Sequence, residues 1–341
     1  MYVFASDDHR QHHALELDGA TLIPSWERPE RADVVRAALI DAGHTFGDVQ
    51  PLDMNIIGSV HDAGYLDFLQ TAWDEWVAAG GTGDAAMGFC WPVRRMGESH
   101  PPESIHGKLG WYSFAADCSI TSGTWSAVRG GAALAQSATS AVQRGERAAF
   151  ALCRPPGHHA SADQFGGYCY LNNAAIAAQQ LIDGGTGRVS IIDIDYHHGN
   201  GTQDIFYERD DVAYLSVHAD PVVEFPYFLG HADETGAGRG VGYNHNEPLP
   251  HGTSWEPWAA ALDRCLDKAT EIDSEALVIS VGVDTFEKDP ISKFTLRSGD
   301  FEEIGQRIEG ATLPTVLVFE GGYAVDEVGK NVASILRGFE S

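Results

Sequence analysis

RVSIIDIDYHHGNG, residues 188–201, is mostly apolar after Arg188 and closes on carboxylates, imidazoles and glycines. An apolar run of this length suits a strand covered on both faces, the condition of strands in a parallel sheet. Four other segments share that character: AAFALC (148–153), VAYLSVH (212–218), ALVISVGVD (276–284) and TVLVFEGG (315–322). Helical patterns at 28–42, 64–79, 124–144, 171–183, 256–271 and 326–338 alternate with them. Strands alternating with helices argue for an α/β fold around a mainly parallel sheet.

Polar residues cluster where these runs stop. His158 and His159 follow the first run, Asp193, Asp195 and His197 close the second, Asp284 ends the fourth, and Tyr323 follows the fifth. In open α/β sheets ligands bind outside the carboxyl ends of the strands, so four strands deliver chemistry to one rim. In an extended chain residues two apart point to the same side, so Asp195 and His197 can converge on one cation. Carboxylate and imidazole suit zinc or another first-row divalent metal, and Asp284 is the candidate third ligand. Three protein ligands leave a coordination position open for water or substrate. In Arg154-Pro155-Pro156-Gly157-His158-His159 two prolines and a glycine fix the backbone that carries the paired imidazoles. The pair precedes a glycine-rich stretch, Phe165-Gly166-Gly167-Tyr168, and Glu320-Gly321-Gly322-Tyr323 sets a hydroxyl after two glycines. The glycine-rich 236–242 stretch has neither a strand before it nor a helix after it and reads as a surface loop. His9, His12 and His13 read as a solvated turn.

Composition narrows the function classes. The chain has 341 residues, about two domains at ~150 residues each, although α/β enzymes of this length often form one. Lys plus Arg number 22 against 49 Asp plus Glu, a net charge of −27. Such a surface repels phosphate backbones and anionic membranes, which excludes a nucleic-acid role and favours a cationic small substrate or basic peptide. A high-salt or acidic habitat is the plain alternative. The five cysteines form no CxxC pair and are odd in number, which fits a reducing compartment. The N-terminal residues carry no apolar signal core, and no apolar run approaches the ~20 residues of a membrane span, so the expectation is a soluble, cytoplasmic protein. Residues 81–110 mix Pro, Gly and both charges without periodicity and read as a long loop.

Taken together, RPPGHH (154–159), FGGYCYLNNAAIAA (165–178), DIDYHHGNGTQDIFY (193–207), SVGVDTFEKDP (280–290) and EGGY (320–323) resemble the histone deacetylase superfamily, most closely its bacterial acetylpolyamine amidohydrolases. SDDH (6–9) and HDAGYLDFL (61–69) are similar as well. The resemblance implies the arginase/deacetylase fold: a single domain over 1–341, with an eight-stranded parallel sheet flanked by helices. It implies zinc, with Fe2+ or Co2+ as substitutes, on Asp195, His197 and Asp284. His158 and His159 match the tandem catalytic histidines, supported by Asp193 and Asn200, and Tyr323 matches the residue that helps polarise the carbonyl. Gly167, Tyr168 and Phe225 match the walls of the acyl-amine tunnel. Structural potassium is implied at Asp193, Asp195, His197, Ser216 and Val217, and again at Phe206, Arg209, Val212 and Tyr243.

The implied reaction is hydrolysis of acetylated polyamines or related small acylated amines, with His159 as general base and with zinc and Tyr323 on the oxyanion. The 81–110 loop is implied to form a homodimer contact that narrows the entrance. Glu16 and Asp117 are the leading candidates to bind secondary ammonium groups, with Glu98 and Glu103 behind them; His106 stands near where the resemblance places an acid. The alternatives are a protein or peptide acetyl-lysine deacetylase on the same machinery and a catalytically silent binder of acylated ligands. The intact Asp/His/Asp, His/His and Tyr sets argue against the silent binder. A two-manganese ureohydrolase is disfavoured, because one metal set is evident.

Overall fold

A computed structural model describes residues 1–93, 97 and 99–341 of the chain. Its strands are β1 (Tyr2–Phe4), β2 (Leu15–Asp18), β3 (Thr21–Pro24), β4 (Thr45–Phe46), β5 (Ala148–Ala151), β6 (Val189–Asp193), β7 (Val212–Ala219), β8 (Asn244–Leu249), β9 (Ala276–Val281) and β10 (Thr315–Phe319). The α-helices are α1 (Pro29–Asp41), α2 (Met54–Gly58), α3 (Ala63–Ala78), α4 (Ile105–Trp111), α5 (Thr124–Gln143), α6 (Asn173–Asp183), α7 (Asn200–Phe206), α8 (Trp255–Glu271), α9 (Asp300–Glu309) and α10 (Val325–Phe339).

Eight strands form one sheet in the order β4-β1-β5-β10-β9-β6-β7-β8. Every pairing in it is parallel. The chain is thus a single α/β domain built on an eight-stranded parallel sheet. Alternate residues of each strand feed two separate cores. On β10, Val316 and Val318 pack with α5 and α6 on one face, while Leu317 and Phe319 pack with α1, α8, α9 and α10 on the other. This double coverage is why the apolar runs lack a polar phase. Strands β5, β10, β9 and β6 lie side by side in the middle of the sheet. The segments that end in His158, Tyr323, Asp284 and Asp195 are therefore neighbours in space.

Three main-sheet strands carried little signal. β1 and β4 are three and two residues long, and β8 (NHNEPL) is a polar edge strand that includes a proline, as edges tolerate. The antiparallel pair β2–β3 stands apart from the main sheet.

Two readings of the sequence need correction. Residues 105–111, inside the stretch read as loop, form α4, nucleated by Ile105 and Leu109, which are four residues apart and both buried. His9 and His12 are buried rather than solvated: His9 Nδ1 bonds the Ser6 carbonyl at 2.8 Å, and His12 Nδ1 bonds Thr124 Oγ1 at 3.0 Å. Among the described residues no helix is long and apolar enough to cross a membrane.

Candidate metal centre

β6 ends at Asp193 and the chain then bends through residues 195–197 rather than staying extended. Asp193 Oδ1 accepts the Asp195 N–H at 3.1 Å and Asp195 Oδ1 accepts the His197 N–H at 3.0 Å, and the bend sets Asp195 and His197 next to Asp284, three residues past the end of β9. The three side chains are buried, and each offers a ligand atom within 4.8 Å of the others. His197 Nδ1 lies 3.4 Å from Asp195 Oδ1 and 3.2 Å from Asp284 Oδ2, so one imidazole nitrogen and two carboxylate oxygens face one point. Backbone amides hold the carboxylates: Gly321 N–H donates to Asp195 Oδ2 at 2.8 Å, and Tyr196 N–H donates to Asp284 Oδ1 at 2.9 Å. Gly321 is required there, because a Cβ would lie 2.4 Å from Asp195 Oδ2 and 2.6 Å from Asp284 Oδ2. Burial and the Asp195 charge push Asp284 up to about 7. Asp195 is held low, because the His158 and His197 charges outweigh its burial. Two buried carboxylates that repel in this way, beside an imidazole, are the kind of oxygen and nitrogen donors that could hold a divalent cation.

The paired imidazoles of His158 and His159 stand 4.1 Å apart and are supported differently. His158 Nδ1 is 2.9 Å from Asp193 Oδ2, which also accepts the Tyr214 hydroxyl at 3.0 Å. Burial lowers His158, but the Asp193 and Asp195 charges override it and raise the ring to about 10. His159 Nδ1 is 2.7 Å from Asn200 Oδ1, a neutral partner. Burial, with the His158 and His197 charges, holds His159 well below the usual imidazole value. With Asn200 Oδ1 as acceptor, the ring proton of His159 sits on Nδ1 and Nε2 is the free base, an assignment that follows from the hydrogen-bond pattern.

A cavity of about 390 Å³ opens above this floor, reaching His159, His197 and Tyr323. Gly167, Tyr168 and Phe225 form its walls, and Glu16, Asp18, Asp117 and Glu224 also line it. Gly167 adopts a φ of +57°, and a Cβ there would meet His159 Cδ2 at 2.2 Å. The Gly167 N–H donates to both Asp117 oxygens at 3.0 Å. Glu16 is buried among Tyr168, Ser25 and Trp26, and that burial pushes its carboxyl above the usual range. Among the described residues no lysine or arginine lines the cavity. Glu103 and His106 do not reach it; His106 packs edge-on against Trp76, with centroids 5.3 Å apart. Glu98 lies outside the described residues.

The residues read as potassium positions fall at two places. Ser216 on β7 is in register with Asp193 on β6, and its hydroxyl bonds His218 Nδ1 at 2.8 Å. At the second, the Phe206 carbonyl accepts Arg209 N–H and the Tyr243 carbonyl accepts Tyr214 N–H, both at 2.9 Å, which leaves each carbonyl a free lone pair.

Several contributors gave no sequence signal. Arg31 on α1 is fully buried; its Nε donates to the Gly322 carbonyl at 2.6 Å and its guanidinium lies 4.6 Å over the Tyr323 ring. Arg31 and Arg154 both bond Glu27 Oε1, at 2.8 and 2.9 Å. Asp289 Oδ2 accepts the Tyr323 N–H at 2.6 Å. An arginine inside PERADVV looks like any solvated helix residue, so only its tertiary contacts with Phe319 and the carbonyls of the loop after β10 could show its place. Asp289 lies within the quoted 280–290 motif, where an acid before proline reads as a turn.

The chain belongs to the histone deacetylase family: the histone deacetylase domain matches residues 25–339. It is 49% identical over 344 residues to acetylpolyamine amidohydrolase 2 of Pseudomonas aeruginosa, covering 100% of this chain and 99% of that one. It is 48% identical over 342 residues to the acetylpolyamine amidohydrolase of Mycoplana ramosa, covering 99% of each. The crystal structure of acetylpolyamine aminohydrolase from Burkholderia pseudomallei matches this fold with a TM-score of 0.94 at 38% identity, over 100% of this chain and 99% of that one.

Proposed function

We propose that this chain is a zinc-dependent amidohydrolase that removes acetyl groups from acetylated polyamines or related small acylated amines. The observation that carries the reading is the convergence of Asp195, His197 and Asp284 at the foot of a cavity whose charged lining above the floor is acidic. Membership of the deacetylase family and the names of its full-length relatives support the same chemistry.

Asp195, His197 and Asp284 would hold the metal, which when bound supplies Lewis acidity to the amide carbonyl and lowers the pKa of water. The protein groups account for the proton movements. His159, neutral and bonded through Nδ1 to Asn200, takes the proton of the attacking water at Nε2. His158, kept protonated by Asp193, gives a proton to the departing amine. The Tyr323 hydroxyl donates to the oxyanion. Gly167, Tyr168 and Phe225 hold the slender acyl-amine chain and exclude water around the amide. Glu16 and Asp117, both in the cavity lining, attract the distal ammonium groups.

The same reading includes structural potassium at its two positions, where hydroxyl and carbonyl oxygens are suitable donors. It also includes a homodimer made through the loop near 81–110, where Phe89 is 74% and Val93 56% exposed; sedimentation velocity tests this. The test of function is a turnover comparison of N-acetylputrescine and N-acetylcadaverine with an acetyl-lysine peptide. Higher kcat/KM on the diamines is expected, and a clear preference for the peptide would refute the substrate assignment.

A further inference from the structure

Glu320 is the first residue after β10, and its side chain is fully buried. Its Oε2 accepts the Gly157 N–H at 2.6 Å and the His158 N–H at 3.2 Å. These are the backbone amides of the turn that presents the paired imidazoles. The Glu320 carbonyl accepts Arg31 Nη2 at 2.5 Å, and Arg31 also holds the Gly322 carbonyl and lies over the Tyr323 ring. One residue thus grips the histidine turn with its side chain and the tyrosine loop with its backbone. The other Glu320 oxygen has only a long contact, 3.5 Å from the Ser280 hydroxyl.

His158, Cys169 and Glu320 also place ligand-type atoms within 4.8 Å of one another, which invites a second metal reading. The two amide bonds argue against it. Oε2 already accepts two buried N–H groups, so the buried carboxyl has a structural task that needs no metal. The Cys169 thiol is likewise bonded, to the Gly167 carbonyl at 3.2 Å.

We infer that Glu320 is a positioning residue, whose reach from β10 to the Gly157 and His158 amides sets the tandem histidines in register with Tyr323. The requirement is for an acceptor oxygen at that distance from the strand, not for a negative charge. Its kinetic consequence rests on the deacetylase reading; its structural consequence does not.

Two variants separate reach from charge. Glu320→Gln keeps the length and an acceptor oxygen and loses the charge. Glu320→Asp keeps the charge and withdraws the oxygens by one methylene. Both are purified with metal content and melting temperature recorded, then assayed on N-acetylputrescine and by amide hydrogen exchange over residues 154–160. Glu320→Gln is expected to keep kcat within about threefold and wild-type protection at Gly157 and His158. Glu320→Asp is expected to lose about 10²-fold in kcat, with KM and bound metal little changed, because displacement of about an ångström is worth that much. Protection of both amides is lost with it. A Gln variant as impaired as the Asp variant, an Asp variant near wild type, or unchanged exchange in the Asp variant overturns the inference. If the deacetylase reading itself fails, no form turns over substrate and the exchange difference still decides the role of Glu320.

Discussion

The two imidazoles differ in one atom type of their partners, and Asn200→Asp removes that difference. His158 Nδ1 meets a carboxylate at 2.9 Å and His159 Nδ1 meets a carboxamide at 2.7 Å. The carboxylate-bonded ring is raised to about 10, whereas its neighbour is held well below the usual value. A unit negative charge about 4 Å from the His159 ring, at an effective dielectric of about 20, favours the imidazolium by about 4 kcal/mol. That is an upper bound of about three pKa units, since the new carboxylate is itself taken out of water; about 1–3 units is the expected rise. In the proposed mechanism His159 is the neutral base, so raising its pKa withdraws the active form at low pH. The acid limb of the kcat/KM profile on N-acetylputrescine therefore moves upward by about 1–3 units, and the alkaline limb stays nearer its place. The assay covers pH 5–10 with metal content measured at each pH, and titration of the His159 ring by NMR reports the same shift directly. An acid limb that stays put or moves down, in a variant with wild-type metal content, would refute the assignment of His159 as base and Asn200 as its tuner.

Other perturbations follow from the same geometry. Tyr323→Phe removes the hydroxyl proposed to donate to the oxyanion while leaving the ring over which Arg31 lies; kcat is expected to fall about 10²–10³-fold with KM nearly unchanged, read by steady-state kinetics. Arg31→Ala leaves Glu27 with Arg154 alone and frees two loop carbonyls. Losing one partner of a buried ion pair costs about 3–5 kcal/mol, which urea unfolding of the metal-loaded protein will register. Glu16→Gln is expected to raise KM for N-acetylspermidine-type substrates, which carry distal charge, and to leave KM for a neutral N-acetylalkylamine unchanged. The KM gap between the two substrates should narrow as salt is added to the wild-type enzyme.

Much of this architecture was readable because burial writes itself into the sequence. The four central strands are apolar on both faces, so RVSIIDID, ALVISVGVD, TVLVFEGG and AAFALC stand out, and their polar termini mark the rim. The short strands β1 and β4 and the polar edge strand β8 pair through backbone groups and need few apolar side chains, which leaves little for a pattern to show. Helix α4 hid inside a stretch rich in Pro and Gly, where one apolar pair four apart was its whole signature. The side chains expected to meet at the rim were legible for the opposite reason: carboxylates and imidazoles are costly at the ends of buried strands unless something needs them there. Arg31, Glu27 and Asp289 were not legible, because a charged residue in a helix or turn reads as solvated until tertiary packing covers it.

The central claim is that a metal held by Asp195, His197 and Asp284 carries the hydrolysis. The most direct test is to measure zinc per chain and N-acetylputrescine turnover on one preparation, before chelation, after it and after zinc is restored, alongside Asp284→Ala. About one zinc per chain, activity that vanishes and returns with it, and an Asp284→Ala protein that folds but neither binds zinc nor turns over substrate are the expected results. Undiminished turnover in metal-stripped protein, or full zinc occupancy and activity in Asp284→Ala, would contradict the account.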